Sequence, residues 1–375
     1  MRSKILFILH LPPPVHGAAV VGKYIHDSRV INEAFDCHYI NLTTARDLTD
    51  IGKVGIRKLR LFIALLMLIY KEVRQLRPKL VYVTPNACGG AFYKDFIVVQ
   101  MLKRMGCQVV VHYHNKGISI RQDKWLDNLL YKYFFRNLKV ILLADALYDD
   151  VMKYVKRDDI FICPNGIPET VDDEPEFQDN EVPYVLFLSN LLIEKGVLVL
   201  LDALRILKER HCLFFCDFVG GETAEIDAIR FREEVEKRFL TEFVTYRGKK
   251  YGKEKSKAFE KADIFVFPTC FETFGLVNLE AMEHKLPIVS TNEGGIPDVV
   301  KNGVNGILCK KRDEKELANA IEKLLKDKDL RRNMGQNGYN MFKKQYTLTC
   351  FEENFVTIFL KFAANPFART DLIVT

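Results

Sequence analysis

Short apolar runs alternate with longer amphipathic stretches along the whole chain. Such runs, bounded by turn residues, are typical of the buried strands of a parallel sheet. They predict strands at Lys4–Leu9, Cys37–Asn41, Leu80–Thr84, Gln108–His112, Lys139–Leu143, Ile160–Cys163, Tyr184–Leu188, Leu213–Val219, Phe243–Arg247, Ile264–Phe267, Pro287–Ser290 and Gly306–Leu308. Because helical spacing follows most of these runs, the pattern predicts an α/β fold with parallel sheets.

Helical spacing of apolar residues predicts the elements between the strands. It is clearest at 195–209, 255–262, 276–283 and 314–326. A last helix begins near 348. Its apolar residues have a spacing that fits one buried helical face: Phe351, Phe355, Val356, Phe359 and Leu360.

The predicted strands fall into two groups, separated by an acidic, proline-containing stretch at 169–182. At 375 residues the chain is long for one hydrophobic core and sufficient for two. We therefore expect two Rossmann-like, doubly wound domains, 1–168 and 169–347. Ligands of such sheets bind at the carboxyl ends of the strands.

Charge is unevenly distributed around an ordinary composition of 48% apolar and 28% charged residues. The net charge of the chain is +6. Residues 1–168 hold 25 Lys and Arg against 14 Asp and Glu, whereas the rest of the chain holds 30 against 35. A basic N-terminal half predicts an anionic partner. No recognisable nucleic-acid-binding module accompanies the charge, so nucleic acid is not the expected partner.

Nine scattered cysteines without a Cys-x-x-Cys pair favour reduced thiols over a disulfide framework. The eight histidines do not group with them, so we predict no metal site. The first apolar run is too short for a signal peptide, and no run reaches the about 18 residues of a spanning helix. We expect a cytoplasmic protein.

Two glutamates eight positions apart, Glu272 and Glu280, lie in the most informative stretch of the sequence. The predicted strand Ile264–Phe267 leads into a loop with Gly275, and a helix is predicted from Leu276. A helix N-terminus after such a loop binds anions through its free N–H groups and its dipole. Carboxylates on both sides of an anion site can accept hydrogen bonds from the ribose and the hexose of a nucleotide sugar.

This stretch resembles the Glu-x7-Glu signature of the retaining, metal-independent glycosyltransferases of family 4, which have the GT-B fold. The flanking stretches 287–300 and 302–306 also resemble that family. The resemblance implies an N-terminal acceptor-binding domain and a C-terminal nucleotide-sugar-binding domain that face each other across a cleft. It implies that the helix at about 348–375 packs back on the first domain, and that no cofactor is required besides the UDP- or GDP-sugar substrate.

The resemblance makes Glu272, Lys195 and His114 the candidate catalytic residues. Glu272 would hold hydroxyls of the donor sugar, and Lys195 would stabilise the charge of the leaving diphosphate. His114 follows a predicted strand and would donate to a sugar hydroxyl or assist proton movement. His112 lies two residues earlier on the same face, so the choice between the two histidines stays open.

The other candidate donor-binding residues are glycines of loops, residues at a helix start, and polar groups near strand ends. They are Gly17, Asn190, Thr273, Phe274, Gly275, Leu276, Val277, Glu280, Gly221 and Lys249. Glu280 would hold the ribose. The family has Gly-Arg-x4-Lys-Gly where this chain has Asn190 and Lys195, so Asn190 replaces an arginine that binds the donor phosphates.

Two amphiphilic segments of the basic half are candidate membrane contacts, 57–71 and 125–136. For the first, we favour the alternative that Leu61–Tyr70 is a buried core helix, since helices that are apolar all round are usually buried. For the second, the two alternatives are balanced. Peripheral contact with an anionic membrane fits the charge distribution and the lipid-linked acceptors that this family often uses.

The leading function is transfer of a hexosyl unit from a UDP- or GDP-sugar to a hydroxyl of a glycan or lipid-linked glycan, with retention. A nucleotide-sugar epimerase or a phosphorylase of GT-B fold is one alternative, although neither signature is evident. The other is a non-catalytic subunit that binds a nucleotide sugar, and Asn190 is its only support.

Overall fold

The computed structural model describes residues 2–13, 17–43, 55–170, 174–177 and 180–364. These residues form two units, each built on its own parallel sheet. The N-terminal unit runs to Asn165 and includes the helix that begins at Leu348, and the C-terminal unit is Gly166–Thr347. The prediction of two doubly wound α/β sheets is confirmed.

The sheet of the N-terminal unit has apolar strands with side chains buried on both faces. The strands are β1 Lys4–Leu9, β2 Asp36–Asn41, β3 Leu80–Val83, β4 Val109–Tyr113, β5 Lys139–Leu142 and β6 Ile160–Ile162. They pair in the order β2-β1-β3-β4-β5-β6. From β1, the chain adds β2 on one side and β3 to β6 on the other, so the strand order reverses between β1 and β3. The loops after these two strands diverge there.

The sheet of the C-terminal unit has the same design. Its strands are β7 Tyr184–Leu188, β8 Phe215–Val219, β9 Val244–Tyr246, β10 Ile264–Phe267, β11 Ile288–Thr291 and β12 Gly306–Cys309. They pair in the order β12-β11-β10-β7-β8-β9, so the reversal lies between β7 and β10. In both sheets, the predicted strands differ from the observed ones only at their ends.

Helices connect the strands within each unit. In the N-terminal unit they are α1 Gly17–Asp27, α2 Arg29–Ala34, α3 Ile56–Leu76, α4 Gly89–Arg104, α5 Ile118–Arg121 and α6 Trp125–Phe135. In the C-terminal unit they are α7 Val197–Glu209, α8 Ala228–Lys237, α9 Gly252–Lys261, α10 Leu276–Glu283, α11 Ile296–Val299, α12 Glu314–Lys326 and α13 Lys328–Gln345.

The last helix, α14 Leu348–Ala364, packs within the N-terminal unit against α2. Its Phe355 and Phe359 rings stack with their centroids 4.3 Å apart, and both contact the ring of Phe7 on β1. Phe355 and Phe359 are buried as their spacing predicts, whereas Leu360 is 53% exposed. Phe362 is buried instead, because the buried face of the helix covers a narrower arc than its apolar residues do.

The expectation that Leu61–Tyr70 is a buried core helix is wrong. Helix α3 buries only one face, through Leu65, Ile69 and Val73. Seven large apolar side chains of this helix are exposed: Ile56, Leu59, Leu61, Ile63, Met67, Leu68 and Tyr70. A ten-residue apolar run points in every direction around a helix of 3.6 residues per turn, and the sheet covers only one side.

Helix α6 also exposes aromatic and aliphatic side chains. Trp125 is 78% exposed and Tyr133 is 56% exposed, whereas Tyr131 and Phe134 are buried against the rest of the unit. Within the part of the chain that the structure describes, no helix is long and apolar enough to cross a bilayer. The exposed apolar residues of α3 and α6 lie at the surface of the N-terminal unit.

Candidate active site

The carboxyl ends of β7 and β10 lie at the point where the strand order of the C-terminal sheet reverses. Loops that diverge at such a point leave a crevice in which open α/β sheets bind ligands. The loop after β7 carries Asn190 and Lys195, and the loop after β10 carries Glu272. The fold thus places these three predicted residues in the loops that follow the two strands flanking the reversal.

Lys195 forms an ion pair with Glu272, in which Nζ lies 2.8 Å from Oε2. The next residue, Gly196, has a φ of +83°, and a β-carbon there would lie 2.1 Å from the carbonyl oxygen of Pro268. Only glycine permits this close approach of the two loops. Helix α7 begins at Val197, so Lys195 ends a short 3-10 turn and does not open the helix itself.

The other carboxylate oxygen of Glu272 binds the backbone that leads into α10. Its Oε1 accepts hydrogen bonds from the N–H of Thr273 at 2.9 Å and the N–H of Phe274 at 3.4 Å. Phe274 is buried, which fixes this part of the loop. Because ammonium and amide donors converge on it, the Glu272 carboxylate occupies a position that suits an anion.

Helix α10 begins at Leu276 as predicted, directly after Gly275. Gly275 has a φ of +78°, a conformation that glycine adopts at little cost. The N–H groups of Leu276, Val277 and the residues just after them have no carbonyl one turn earlier within the helix. Together with the helix dipole, they make this end of α10 favourable for a phosphate group.

Glu280 lies one turn further along α10 and contacts Lys255 of α9. The Lys255 ammonium donates to Oε1 at 2.6 Å and lies 2.5 Å from Oε2. The two side chains are 29% and 25% exposed, so this pair is accessible at the surface. The sequence analysis missed Lys255, because nothing in the lysine-rich start of α9 distinguishes it from its neighbours.

Asn190, Gly221 and Lys249 form a second cluster, at the ends of β7, β8 and β9. The Gly221 N–H donates to Asn190 Oδ1 at 3.2 Å. A β-carbon on Gly221 would lie 3.0 Å from Asn190 Oδ1 and 3.4 Å from Lys249 Cδ, so all three residues meet there. The Lys249 side chain therefore runs beside Asn190.

The loop after β11 closes on the loop that carries Glu272. Gly294 has a φ of +55°, and a β-carbon there would lie 2.2 Å from the carbonyl oxygen of Glu272. The preceding residue, Glu293, is 4% exposed, pairs with Lys311 at 2.6 Å and accepts from the Glu272 N–H at 3.4 Å. Sequence reasoning missed Glu293, although its place just after a strand was a usable signal.

His114 lies at the end of β4 in the N-terminal unit, with its ring centroid 4.2 Å from that of His112. His112 is fully buried, and its Nδ1 lies 2.9 Å from the hydroxyl of Tyr82. Burial, with a smaller contribution from His114, holds the pKa of His112 well below its usual 6.5. His112 is thus neutral at ordinary pH. His114 is half-buried, and neither of its ring nitrogens is exposed to solvent.

Gly17 is the first residue of α1, after β1 of the N-terminal unit. A β-carbon on Gly17 would meet no described atom within 4 Å, so space beside its backbone is open. His16, which precedes it in the sequence motif, lies outside the described residues. Among the residues that the structure describes, no three His, Cys, Asp or Glu side chains are grouped as metal ligands.

Comparison with known proteins shows that this chain is similar to glycosyltransferases. Residues 168–341 match the family model described as glycosyl transferases group 1. An uncharacterised glycosyltransferase of Methanocaldococcus jannaschii is 25% identical over 264 residues, which cover 70% of this chain and 69% of that protein. The match to the family model thus includes Glu272 and Glu280 and their flanking loops.

Two further similarities concern a named activity and the fold. The capsular polysaccharide biosynthesis glycosyltransferase CapM of Staphylococcus aureus is 28% identical over 161 residues, 43% of this chain and 41% of CapM. The alignment thus spans less than half of CapM. The crystal structure of HepE from Anabaena in complex with UDP and glucose matches with a TM-score of 0.69 at 17% identity, covering 96% of this chain and 99% of that chain. This likeness confirms the predicted GT-B fold class.

Proposed function

We propose that this chain is a family-4-like glycosyltransferase of GT-B fold that transfers a hexosyl unit from a UDP- or GDP-sugar to a hydroxyl of a glycan or lipid-linked glycan. The observation that carries the proposal is the contact of Lys195 with Glu272 in front of the α10 N-terminus. HepE, whose structure holds UDP and glucose, and CapM, a capsular polysaccharide enzyme by name, support this donor and acceptor class.

In the proposed donor complex, the diphosphate lies at the start of α10. The N–H groups of Leu276 and Val277 and the ammonium of Lys195 stabilise the negative charge that develops as the diphosphate leaves. Lys195 and these N–H groups take the part that a divalent cation has in other sugar transferases, so no metal is required. Glu280 accepts hydrogen bonds from the ribose.

Lys249 compensates for the arginine that Asn190 replaces. Its side chain runs past Gly221 next to Asn190, so a cation is available on the β8 and β9 side of the same sheet edge. Being exposed, it can reach a phosphate oxygen without breaking a buried contact. This site would hold the donor with two lysines, Lys195 and Lys249, in place of an arginine and a lysine.

Retention follows if the acceptor attacks from the face that the diphosphate leaves. The bond from the anomeric carbon to the phosphate oxygen breaks, the bond to the acceptor oxygen forms, and the acceptor's proton goes to the leaving diphosphate. Glu272 holds hydroxyls of the donor sugar, and its negative charge stabilises positive charge at the anomeric carbon. His114 donates to a sugar hydroxyl and orients the sugar ring, which requires the imidazole to turn, because neither of its nitrogens is exposed in this structure.

We further propose that the protein acts at the cytoplasmic face of a membrane, through the N-terminal unit. The exposed side of α3 carries Ile63 and Met67 together with the exposed cations Arg60, Lys71 and Arg74. Apolar side chains between cations suit the surface of an anionic bilayer. Such a contact would hold the enzyme beside a lipid-linked acceptor.

A thermal-shift screen tests the donor proposal first. The purified chain is scanned with UDP, GDP, ADP and their sugars, with and without EDTA. A ligand that binds only the folded state raises the melting temperature, by an amount that grows with its concentration over Kd. We expect a shift with one of UDP and GDP and with its sugar, unchanged by EDTA. No shift with any of them would contradict the proposed site.

A transfer assay with the donor so identified then tests the reaction. NMR of the product's anomeric proton distinguishes retention from inversion. Donor hydrolysis without acceptor is the control, since water competes for the same anomeric carbon. An inverted product would overturn the same-face mechanism and leave the donor assignment intact.

A further inference from the structure

The contact between Lys255 and Glu280 joins two helices that are separate in sequence, α9 and α10. The ammonium of Lys255 lies within 2.6 Å of both oxygens of the Glu280 carboxylate. Lys255 belongs to none of the motifs that identified the site. It nevertheless lies beside Glu280, the glutamate that is proposed to hold the ribose.

Neighbouring contacts hold Lys255 in this place. Ser256, the next residue of α9, lies with its hydroxyl 3.1 Å from Nε2 of His284, which follows α10. The ring of Phe259 stacks on His284 with the centroids 5.0 Å apart, and Nδ1 of His284 lies 2.8 Å from the carbonyl oxygen of Glu280. The docking of α9 on α10 therefore fixes the approach of Lys255 to Glu280.

The pair offers a donor and an acceptor at one place. Lys255 has three N–H donors, and one hydrogen bond to Glu280 Oε1 uses one of them. Glu280 Oε2 lies 2.5 Å from the ammonium and is not exposed to solvent, so the second lone pair of Oε1 is the acceptor left for a ligand hydroxyl. Both side chains are more than one-fifth exposed, which lets a ligand reach them.

We propose that Lys255 and Glu280 together read the 2′,3′-diol of a ribonucleotide, and that Lys255 is a specificity-determining residue for ribonucleoside diphosphate sugars. This inference rests on the proposed donor site. Each ribose hydroxyl is both a donor and an acceptor. Glu280 accepts from the diol and Lys255 donates to it, whereas a 2′-deoxyribose lacks one of the two hydroxyls and so forms fewer hydrogen bonds with this charged pair.

The test compares the affinity of ribonucleotides with that of their 2′-deoxy forms. Dissociation constants of UDP, dUDP, GDP and dGDP are measured by calorimetry for the wild-type chain, Lys255→Met and Lys255→Gln. We expect the deoxy form of the preferred nucleotide to bind about ten-fold more weakly to the wild-type chain, as for one hydrogen bond to a charged group. Both variants should bind the ribonucleotide more weakly and the deoxynucleotide with nearly unchanged affinity. The ratio of the deoxynucleotide Kd to the ribonucleotide Kd should therefore fall at least about three-fold.

Lys257→Met is the matched control. It removes the same charge from the same helix two residues away, where the side chain is exposed, and it should keep the wild-type ratio. A loss of stability alone lowers the affinity for both nucleotides by the same factor and leaves the ratio of their dissociation constants unchanged. If both Lys255 variants still bind UDP or GDP and keep the wild-type ratio of deoxynucleotide to ribonucleotide Kd, this inference is overturned and the proposed function stands. If the wild-type chain binds none of the four nucleotides, the proposed function fails, and this inference fails with it.

Discussion

Lys195 Nζ lies 2.8 Å from Glu272 Oε2, so a lysine of the β7 loop and a glutamate of the β10 loop are paired across the strand reversal of the C-terminal sheet. The lysine also donates to the carbonyl of Phe271 at 3.2 Å. The two side chains are 21% and 20% exposed, and a ligand can therefore compete for either of them. Donor binding would exchange this pair for contacts of Lys195 with the diphosphate and of Glu272 with the sugar.

Removing either member should abolish most transfer and leave the fold intact. We expect Lys195→Ala and Glu272→Gln each to lower kcat by about 100- to 1000-fold, the usual effect of losing one group that stabilises transition-state charge. Because the pair is partly exposed, the free energy of unfolding should fall by no more than about 1 kcal/mol. Rate measurements at saturating donor, with circular dichroism of each variant, check this. Near-normal rates in both variants would contradict the assignment of Lys195 and Glu272 to the active site.

Glycine at position 196 should be required for both stability and activity. Gly196→Ala places a β-carbon 2.1 Å from Pro268 O at a φ of +83°, so the loop that presents Lys195 must move. An alanine in the left-handed conformation alone costs about 1–2 kcal/mol. We expect the free energy of unfolding to fall by well more than that. Urea unfolding measures it.

Gly303→Ala is the control for backbone strain. Gly303 has a similar φ of +79°, but a β-carbon there would meet no described atom within 4 Å. It should therefore cost only the about 1–2 kcal/mol of left-handed strain and leave transfer unchanged. Equal losses in the two variants would mean that the close approach to Pro268 is unimportant.

Local signals account for the parts of the site that the sequence predicted. Helix α10 begins where Gly275 permits a positive φ, and the strand before it is a continuous apolar run, so both elements follow from neighbouring residues. The pairing of β7 with β10 then brings Lys195 to Glu272. The roles of these residues in catalysis stay predictions until the variants are measured.

Long-range packing decides the parts that the sequence did not predict. Lys255 is one lysine among several on α9, and only the docking of Ser256 and Phe259 on His284 selects it for Glu280. The exposure of α3 is another case, because an apolar run indicates that a helix has apolar residues without indicating which side the sheet covers.

Stability should fall on acidification because of His112. Burial holds the pKa of this imidazole well below 6.5, so below about pH 6.5 the unfolded chain binds a proton that the folded chain does not. The contribution is complete above that pH and is lost as the pH falls, at up to about 1.4 kcal/mol per pH unit. His112→Gln keeps a partner for the Tyr82 hydroxyl and removes the titration. Melting temperatures measured from about pH 7 to about pH 5 should therefore fall less with decreasing pH in the variant than in the wild-type chain. Equal falls in the two proteins would contradict the role of His112 in acid destabilisation.

The exposed side of α3 should bind anionic vesicles. Ile63 is 46% exposed and Met67 is 62% exposed, and burial of such side chains in the interface favours binding by about 1.5–3 kcal/mol each. We expect the double variant Ile63→Ser/Met67→Ser to bind phosphatidylglycerol-containing vesicles at least about ten-fold more weakly than the wild-type chain in co-sedimentation. Added salt should weaken wild-type binding, because the cations around these residues contribute attraction that salt screens.

The control for this surface replaces equally exposed apolar residues of the C-terminal unit. Leu213 is 70% exposed and Ile229 is 69% exposed, so Leu213→Ser/Ile229→Ser makes the same chemical change elsewhere. Binding to anionic vesicles should be unchanged in this control, and zwitterionic phosphatidylcholine vesicles should bind the wild-type chain weakly. Equal binding of all three proteins to both kinds of vesicle would mean that α3 has no part in the contact. Selective loss in the α3 variant would instead identify α3 as the helix that binds anionic vesicles.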